Sequence, residues 1–430
     1  MKNLALDGPL RWTARTLTLS LKAGGLILFL AGMAVAQANW AQTNFNGART
    51  SFNPNETTLN RTNVPSLQLR WAAGVAGGVT NFAVAGGVLY VTGQSNNLVA
   101  LNSSTGAQIW STRTGGNTGI NAIAAGQGRV FAQCDLTDTG GTLYGAVCAF
   151  RASTGKPAWR FANPCNCLPE ASVQAPLLFA NGTVYIGYSN GGVNPVYGLY
   201  AVSASSGTLL WDYEVFNCCF DATSMASAGG YVYVFSSENV VYAFQASTGA
   251  LAWTTPLSAN NTAAVSVAGG IVYVSTSWNG TNATLYALNA ATGAIRWSYA
   301  YGTGNWGGSA EAPWPPAIAQ GVVYLQGADH NLYALRANTG ALIWSDMVNT
   351  DGYGFKTSPS IANGVLYIDG GYPPADPNTS AYDAATGALL WSSPSSHGTL
   401  FMPPEVVNGI LYFASPGDSI CSSICAYSLP

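Results

Sequence analysis

The side chains in this sequence that could do chemistry are few: eight cysteines, two histidines and 18 carboxylates among 430 residues. The cysteines come in close groups. Cys165 and Cys167 flank one residue, Cys218 and Cys219 are adjacent, Cys134 and Cys148 bracket a short segment, and Cys421 and Cys425 lie near the end. Paired thiols can form disulfides, hold a soft metal as thiolates or, when adjacent, form a strained vicinal bridge. For the middle four, three readings stand: disulfides between neighbouring loops, a vicinal Cys218–Cys219 bridge, and a four-thiolate zinc site. The last lacks the usual two-to-four-residue spacing of zinc cysteines. His330 and His397 are too few for a histidine-based metal centre.

A second group mixes acids with aromatics. The segment from Gly302 to Trp314 carries Trp306, Glu311 and Trp314, and a later one carries Asp351, Tyr353, Phe355 and Lys356. Glu311 and Asp351 among such rings could hold Ca²⁺, serve as a general base or clamp a sugar-like ligand. The same residue types also make ordinary solvated loops, and no spacing here is diagnostic. Glu170 and Asp221 stand in comparable segments further upstream.

The elements that must position these residues belong to a tandem repeat. LVALNSSTGAQIW (Leu98–Trp110) returns as VCAFRASTGKPAW, LYAVSASSGTLLW, VYAFQASTGALAW, LYALNAATGAIRW, LYALRANTGALIW and TSAYDAATGALLW. Its tryptophans are Trp110, Trp159, Trp211, Trp253, Trp297, Trp344 and Trp391, one per blade-length unit. Each string reads as strand, Thr-Gly turn, strand, with glycine supplying the positive φ of the turn. Upstream of it lies another hairpin signal. Gly86-Gly87, Gln127-Gly128, Asn181-Gly182, Gly229-Gly230, Gly269-Gly270, Gln320-Gly321, Asn363-Gly364 and Asn408-Gly409 all end in glycine, and alternating strands follow most of them.

There are thus eight first hairpins and seven complete second ones. The last unit ends after Ile424–Ser428, and the segment from Leu67 to Trp71 supplies a candidate outer strand with a Trp in place. The expected fold is all-β: an eight-bladed β-propeller, four antiparallel strands per blade, its last blade closed by an N-terminal strand. Joining the two ends in one sheet removes two edges that would otherwise template aggregation. A Trp on each outer strand buries roughly 150–250 Å², on the order of 4–6 kcal/mol before entropy, and reads as glue between blades. In such a ring the loops that bear the acids and most cysteines fall on one face.

Composition narrows the function classes. Charged residues are 8% and the formal net charge is −3, with no basic stripe, which argues against nucleic acid. Residues 1–38 read as an export signal: Arg11, Arg15 and Lys22 precede an apolar run to Val35, and Ala36-Gln37-Ala38 offers a cleavage site. The run is too short to span a bilayer, so no membrane span is expected once the signal is removed. Export to the periplasm or outside the cell fits the even cysteine count. The expected organisation is a signal over 1–38, a lead-in over 39–66 and a propeller over 67–430, acting as a monomer.

The repeat A-x-x-A-x-T-G-x-x-x-W resembles that of the pyrroloquinoline quinone (PQQ) propellers. The lead-in, with Trp40, Asn44 to Arg49, Leu59, Asn63-Val64, Leu67 and Trp71, resembles the start of quinoprotein dehydrogenases. This superfamily includes quinoprotein alcohol dehydrogenases and cofactor-free relatives such as an outer-membrane assembly scaffold. The dehydrogenase side implies PQQ with Ca²⁺, Glu311 and Asp351 as metal ligands and Asp351 or Glu311 as base. Cys218, Cys219, Trp306, Trp314 and Lys356 would then contact the cofactor, since the family stacks a vicinal disulfide over the PQQ ring. Here that pair follows the third complete blade, later than in the family, and no Lys or Arg occurs between Arg160 and Arg296. The scaffold side implies a binding module whose loop face meets a protein, polymer or glycan. That second implication is the expectation carried forward, with a small PQQ-dependent dehydrogenase of alcohols or polyols as the alternative.

Overall fold

The computed structural model describes residues 39–93, 95–115, 122–137, 143–162, 177–189, 196–216, 222–259, 262–277, 283–302, 314–327, 329, 331–347, 357–369, 379–393, 402–415 and 421–430. The segment expected as an export signal lies outside them. Among the described residues no helix is long and apolar enough to cross a membrane.

The architecture is an eight-bladed β-propeller with four antiparallel strands in each blade. Blade one comprises Val79–Ala85, Val88–Gly93, Asn97–Asn102 and Gln108–Arg113, innermost first. Blade five comprises Ala263–Ala268, Ile271–Thr276, Ala283–Asn289 and Ile295–Tyr301. Blade eight takes Glu405–Val407, Ile410–Ala414 and Ile424–Ser428 from the end of the chain. Its outermost strand is Gln68–Ala73, hydrogen-bonded antiparallel to Ile424–Ser428.

All eight first-hairpin turns have positive φ at both central residues, from Gly86 (59°) and Gly87 (76°) to Asn408 (53°) and Gly409 (76°). That is the type I′ geometry whose twist matches the strands, and it explains the Gly-Gly and Asn-Gly pairs. The glycine of the second hairpin has a further reason. A Cβ on Gly340 would stand 2.6 Å from the Trp297 ring, and one on Gly249 2.6 Å from Trp211. In blades one to seven this turn is therefore pressed against the tryptophan of the blade before it. The residue preceding that tryptophan is extra in the ladder: register shifts at this point in every blade mark a β-bulge.

The joint between blades is also polar. Trp297 Nε1 donates to Ala337 O at 3.1 Å, and Tyr273 OH donates to the same carbonyl at 3.0 Å. Trp253 and Tyr233 share Ala290 O in the same way, and Trp71 and Tyr412 share Ser103 O. Seven of the eight repeated tryptophans make this bond. Between the sheets the apolar residues form eight clusters, most of them joining two adjacent blades, so no single central core exists.

The axis is filled at one end by the lead-in. Trp40 exchanges two backbone bonds with Val84 in blade one, at 2.7 and 2.8 Å. Ala125 N donates to Ala41 O, Phe179 N to Gln42 Oε1, Ser227 N to Gly47 O, Val267 N to Ala48 O, Ile318 N to Thr50 O and Ile361 N to Ser51 O, at 2.6–2.9 Å. In blade eight Asn53 Nδ2 donates to Val406 O at 2.7 Å. Each blade residue in this set lies two positions before its first-hairpin turn, so one stretch of chain satisfies the same inner-edge position around the whole ring. Phe52–Asn53 even pairs as a short parallel strand with Ser360–Ala362. An inner strand without a neighbour would otherwise leave these backbone groups unpaired. The path demands left-handed backbone at Asn44 (φ 62°), Phe45 (79°), Arg49 (57°) and Ser51 (48°).

Candidate functional site

The next edge position along each inner strand, four before the turn, faces the axis by the two-residue period of a strand. In blades six to eight it is Pro316, Pro359 and Pro404, which have no N–H to leave unpaired. In blades three and four it is Leu177 and Met225, whose carbonyls accept from Arg49. Arg49 Nη2 lies 2.9 Å from Leu177 O, Nε 3.2 Å from Met225 O and Nη1 2.8 Å from Thr43 O. This guanidinium is buried (3% exposed), and burial lowers its pKa to about 10. It is an axial cation tied by carbonyls.

Between those two edge positions, three before the turn, the side chain points across to the next blade. It is Ala83, Ala124, Leu178, Ala226, Ser266, Ala317, Ser360 and Glu405 in blades one to eight, all buried. Ser266 and Ser360 donate to Pro316 O and Pro404 O of the following blade. Glu405 is the one acid of the series. Burial pushes its carboxyl well above the ordinary carboxylate range, and Oε2 has no hydrogen-bond partner. In its protonated form it can donate as well as accept a hydrogen bond.

Glu405 has company. Gln326 ends the second strand of blade six, Thr357 and Ser358 lead into the inner strand of blade seven, and Glu405 opens that of blade eight. All four carry buried side-chain polar atoms with no partner. Gln326, Thr357 and Ser358 fall toward the loop end of blades six and seven, whereas Glu405 sits one residue from Val406, which the lead-in contacts. An unpaired buried polar atom costs roughly 1–3 kcal/mol, and each marks a place where a ligand or ordered water is expected.

Another carboxylate stands in this sector, on the short loop between the second and third strands of blade six. Asp329 accepts from Tyr333 OH and, at 2.9 Å, from Asn331 Nδ2. A Cβ at Gly327 would lie 2.3 Å from Asp329 Oδ1, so glycine there makes room for the carboxylate. Burial and then Asp329 raise the pKa of the Tyr333 and Tyr301 phenols, keeping both protonated at neutral pH.

Of the residues singled out in the sequence, Trp314 is described. It is half-buried just ahead of blade six, its carbonyl accepting from Ser275 Oγ at 2.7 Å. Cys218, Cys219, Trp306, Glu311, Asp351 and Lys356 lie outside the described residues, as do Cys165, Cys167, Glu170 and Asp221. The other four cysteines are paired: Cys134–Cys148 ties the second and third strands of blade two, and Cys421–Cys425 lies in blade eight. Sequence reasoning passed over Arg49, Gln326, Asp329, Thr357, Ser358 and Glu405. Glu405 was legible as the acid that breaks a series of small or apolar residues at one repeat position; Asp329 had no comparable signal.

Comparison with known proteins follows the same lines. The family model of the outer membrane protein assembly factor BamB matches residues 46–218 and 198–372. Among solved structures, the chain is similar to quinohemoprotein alcohol dehydrogenase from Comamonas testosteroni, with 15% identity and a TM-score of 0.69 over 92% of this chain and 81% of that one. It is similar to a europium-containing methanol dehydrogenase, with 14% identity and a TM-score of 0.67 over 91% and 98%. It is also similar to BamB from Moraxella catarrhalis, with 16% identity and a TM-score of 0.59 over 84% and 99%. Identities this low speak for the fold alone. No curated protein matches the chain.

Proposed function

The chain belongs to the PQQ-like repeat family represented by the outer membrane protein assembly factor BamB, and on that premise we propose that it is an exported binding module that takes its ligand on the loop face at blades six to eight. The observation that carries this reading is the buried, unpartnered polar atoms on Gln326, Thr357 and Ser358, with that of Glu405 deeper in blade eight. They are neutral donors and acceptors, suited to a polar ligand group such as an amide or hydroxyl. The lead-in fills the opposite end of the axis, so a ligand entering along it does so from the loop face. Export agrees with the two disulfides and with the signal-like first 38 residues. A protein partner is the first choice, given the assembly-factor family; a glycan or other polymer is the next.

The alternative is a small PQQ-dependent dehydrogenase, suggested by the solved neighbours. PQQ with Ca²⁺ calls for converging carboxylates, and among the described residues no three His, Cys, Asp or Glu side chains gather. The candidate ligands Glu311 and Asp351 lie outside the described residues, and no catalytic step is derived through the cofactor.

One titration separates the readings. Purified protein is mixed with PQQ and Ca²⁺, followed by absorbance, and assayed for dye reduction with alcohols. The binding-module reading expects no turnover. Saturable PQQ binding with turnover, lost in Glu311→Gln or Asp351→Asn, would replace it with the enzyme.

A further inference from the structure

On the turn face, opposite the loops, a cavity of about 610 Å³ opens between the lead-in and the first-hairpin turns of blades five and six. That volume lies in the range of ordinary ligand sites, about 300–1,000 Å³. Its floor is Ile271, Tyr273 and Ile318, all buried. Phe45 and Phe52 of the lead-in form a half-buried wall, and Gln320 and Asn338 stand exposed at the rim. No acidic or basic residue lines it.

The polar groups of this cavity divide by depth. Tyr273 OH is already spent on Ala337 O, and the Asn46 amide pairs with the backbone and hydroxyl of Thr50. The amides free to meet a ligand are those of Gln320 and Asn338, at the mouth. A charged ligand would be desolvated on the floor without a counter-charge. A sugar would carry hydroxyl groups onto the same floor, where the one phenol already has its bond. An apolar side chain fits the floor, and a peptide backbone beside it fits the amide rim.

The wall adds an independent observation. Phe45 sits at φ 79°, a conformation costing on the order of 1–3 kcal/mol for a bulky residue. Its N–H donates to Gln42 O at 3.0 Å and its ring meets Trp40 edge-on at 5.1 Å. The strain is sustained at the residue whose ring lines the cavity, and the adjoining face already binds a peptide by its backbone, namely the lead-in itself.

We infer that this cavity is a second binding site, separate from the loop face, for an uncharged peptide segment. One aromatic or branched aliphatic side chain enters between Phe45, Phe52 and Ile318, while neighbouring backbone amides bond Gln320 and Asn338. The inference does not depend on what the loop face binds.

The test uses the intact protein with N-acetyl-phenylalanine amide and N-acetyl-leucine amide as probes, read by saturation-transfer NMR and calorimetry. Anionic N-acetyl-phenylalanine and maltose serve as comparisons. Both amides should bind, with the anion at least roughly tenfold weaker. Ala268→Phe, which fills the cavity, should abolish binding. Gln320→Ala and Asn338→Ala, exposed and harmless to folding, should each weaken it roughly three- to tenfold. Failure of either amide to bind, binding of maltose in its place, or affinity unchanged in the rim variants would overturn the assignment.

Discussion

The joint between blades five and six and the joint between blades seven and eight start from the same residues and end differently. In the first, Tyr273 and Trp297 both donate to Ala337 O, at the second hairpin of the next blade. In the second, Tyr367 and Trp391 hold the matching positions, but the next blade has no such hairpin. Its third and outer strands, Ile424–Ser428 and Gln68–Ala73, come from opposite ends of the propeller segment. Tyr367 OH is left buried and unpartnered, and burial raises its pKa further than that of Tyr273. Leu59, Val64 and Leu67 fill the missing turn's place around Trp391, and the Trp391 ring meets Tyr427 at 5.3 Å. The repeat's joint is therefore a hydrogen-bonded carbonyl set in apolar packing. Where chain topology removes the carbonyl, apolar packing from the lead-in takes its place.

The largest way to sharpen this comparison is at the tryptophans. Trp297→Phe removes ring area and leaves Ala337 O short of a donor, and should cost about 2–4 kcal/mol by denaturant unfolding. Trp391→Phe removes ring area only and should cost about 1 kcal/mol less. Equal losses would break the distinction between the two joints.

A smaller and opposite pair of effects is expected at the tyrosines. Tyr273→Phe should destabilise by about 1 kcal/mol, whereas Tyr367→Phe should leave stability unchanged or raise it by about 1 kcal/mol, because its hydroxyl gains nothing where it is. Destabilisation by both to the same degree would mean that the Tyr367 hydroxyl has a partner after all.

The smallest effect concerns Glu405, which stands where Ser266 and Ser360 bridge to the next blade. Its folded pKa is raised above the ordinary 4.5, so the unfolded chain releases this proton first as pH rises. Stability from this group is thus fullest below about pH 4.5 and falls through the window above it, up to the raised value. Glu405→Gln removes that dependence. It should raise the melting temperature by roughly one or two °C at pH 7, with the gain vanishing near pH 4. A gain independent of pH would show that Glu405 is charged in the folded protein.

The repeat, the eight turns and the tryptophan positions were legible because each depends on residue type: glycine for positive φ, indole for area. The shared carbonyl was not, since any residue at Ala337 or Ala290 supplies one. The course of residues 40–53 was equally hidden. Most of its contacts to the inner edges run from backbone to backbone, so Ala41, Gly47 and Ala48 give no sign of them, and the buried Arg49 reads in sequence as a surface charge. In the sequence, Trp306, Glu311, Asp351 and Lys356 stood out as charged and aromatic residues in Gly-rich segments. Gln326, Thr357 and Ser358 did not, because their significance lies in having no partner, which only packing reveals.

Amide hydrogen exchange on the intact protein tests most directly the claim that the lead-in is a built part of the ring. Val84, Ala125, Ser227, Val267 and Ile318 lie on the inner edge of five different blades, and each donates its N–H to the lead-in. These amides should exchange as slowly as those in the middle of the sheets. Exchange at the rate of an open sheet edge, with the remaining ladder amides still protected, would contradict it.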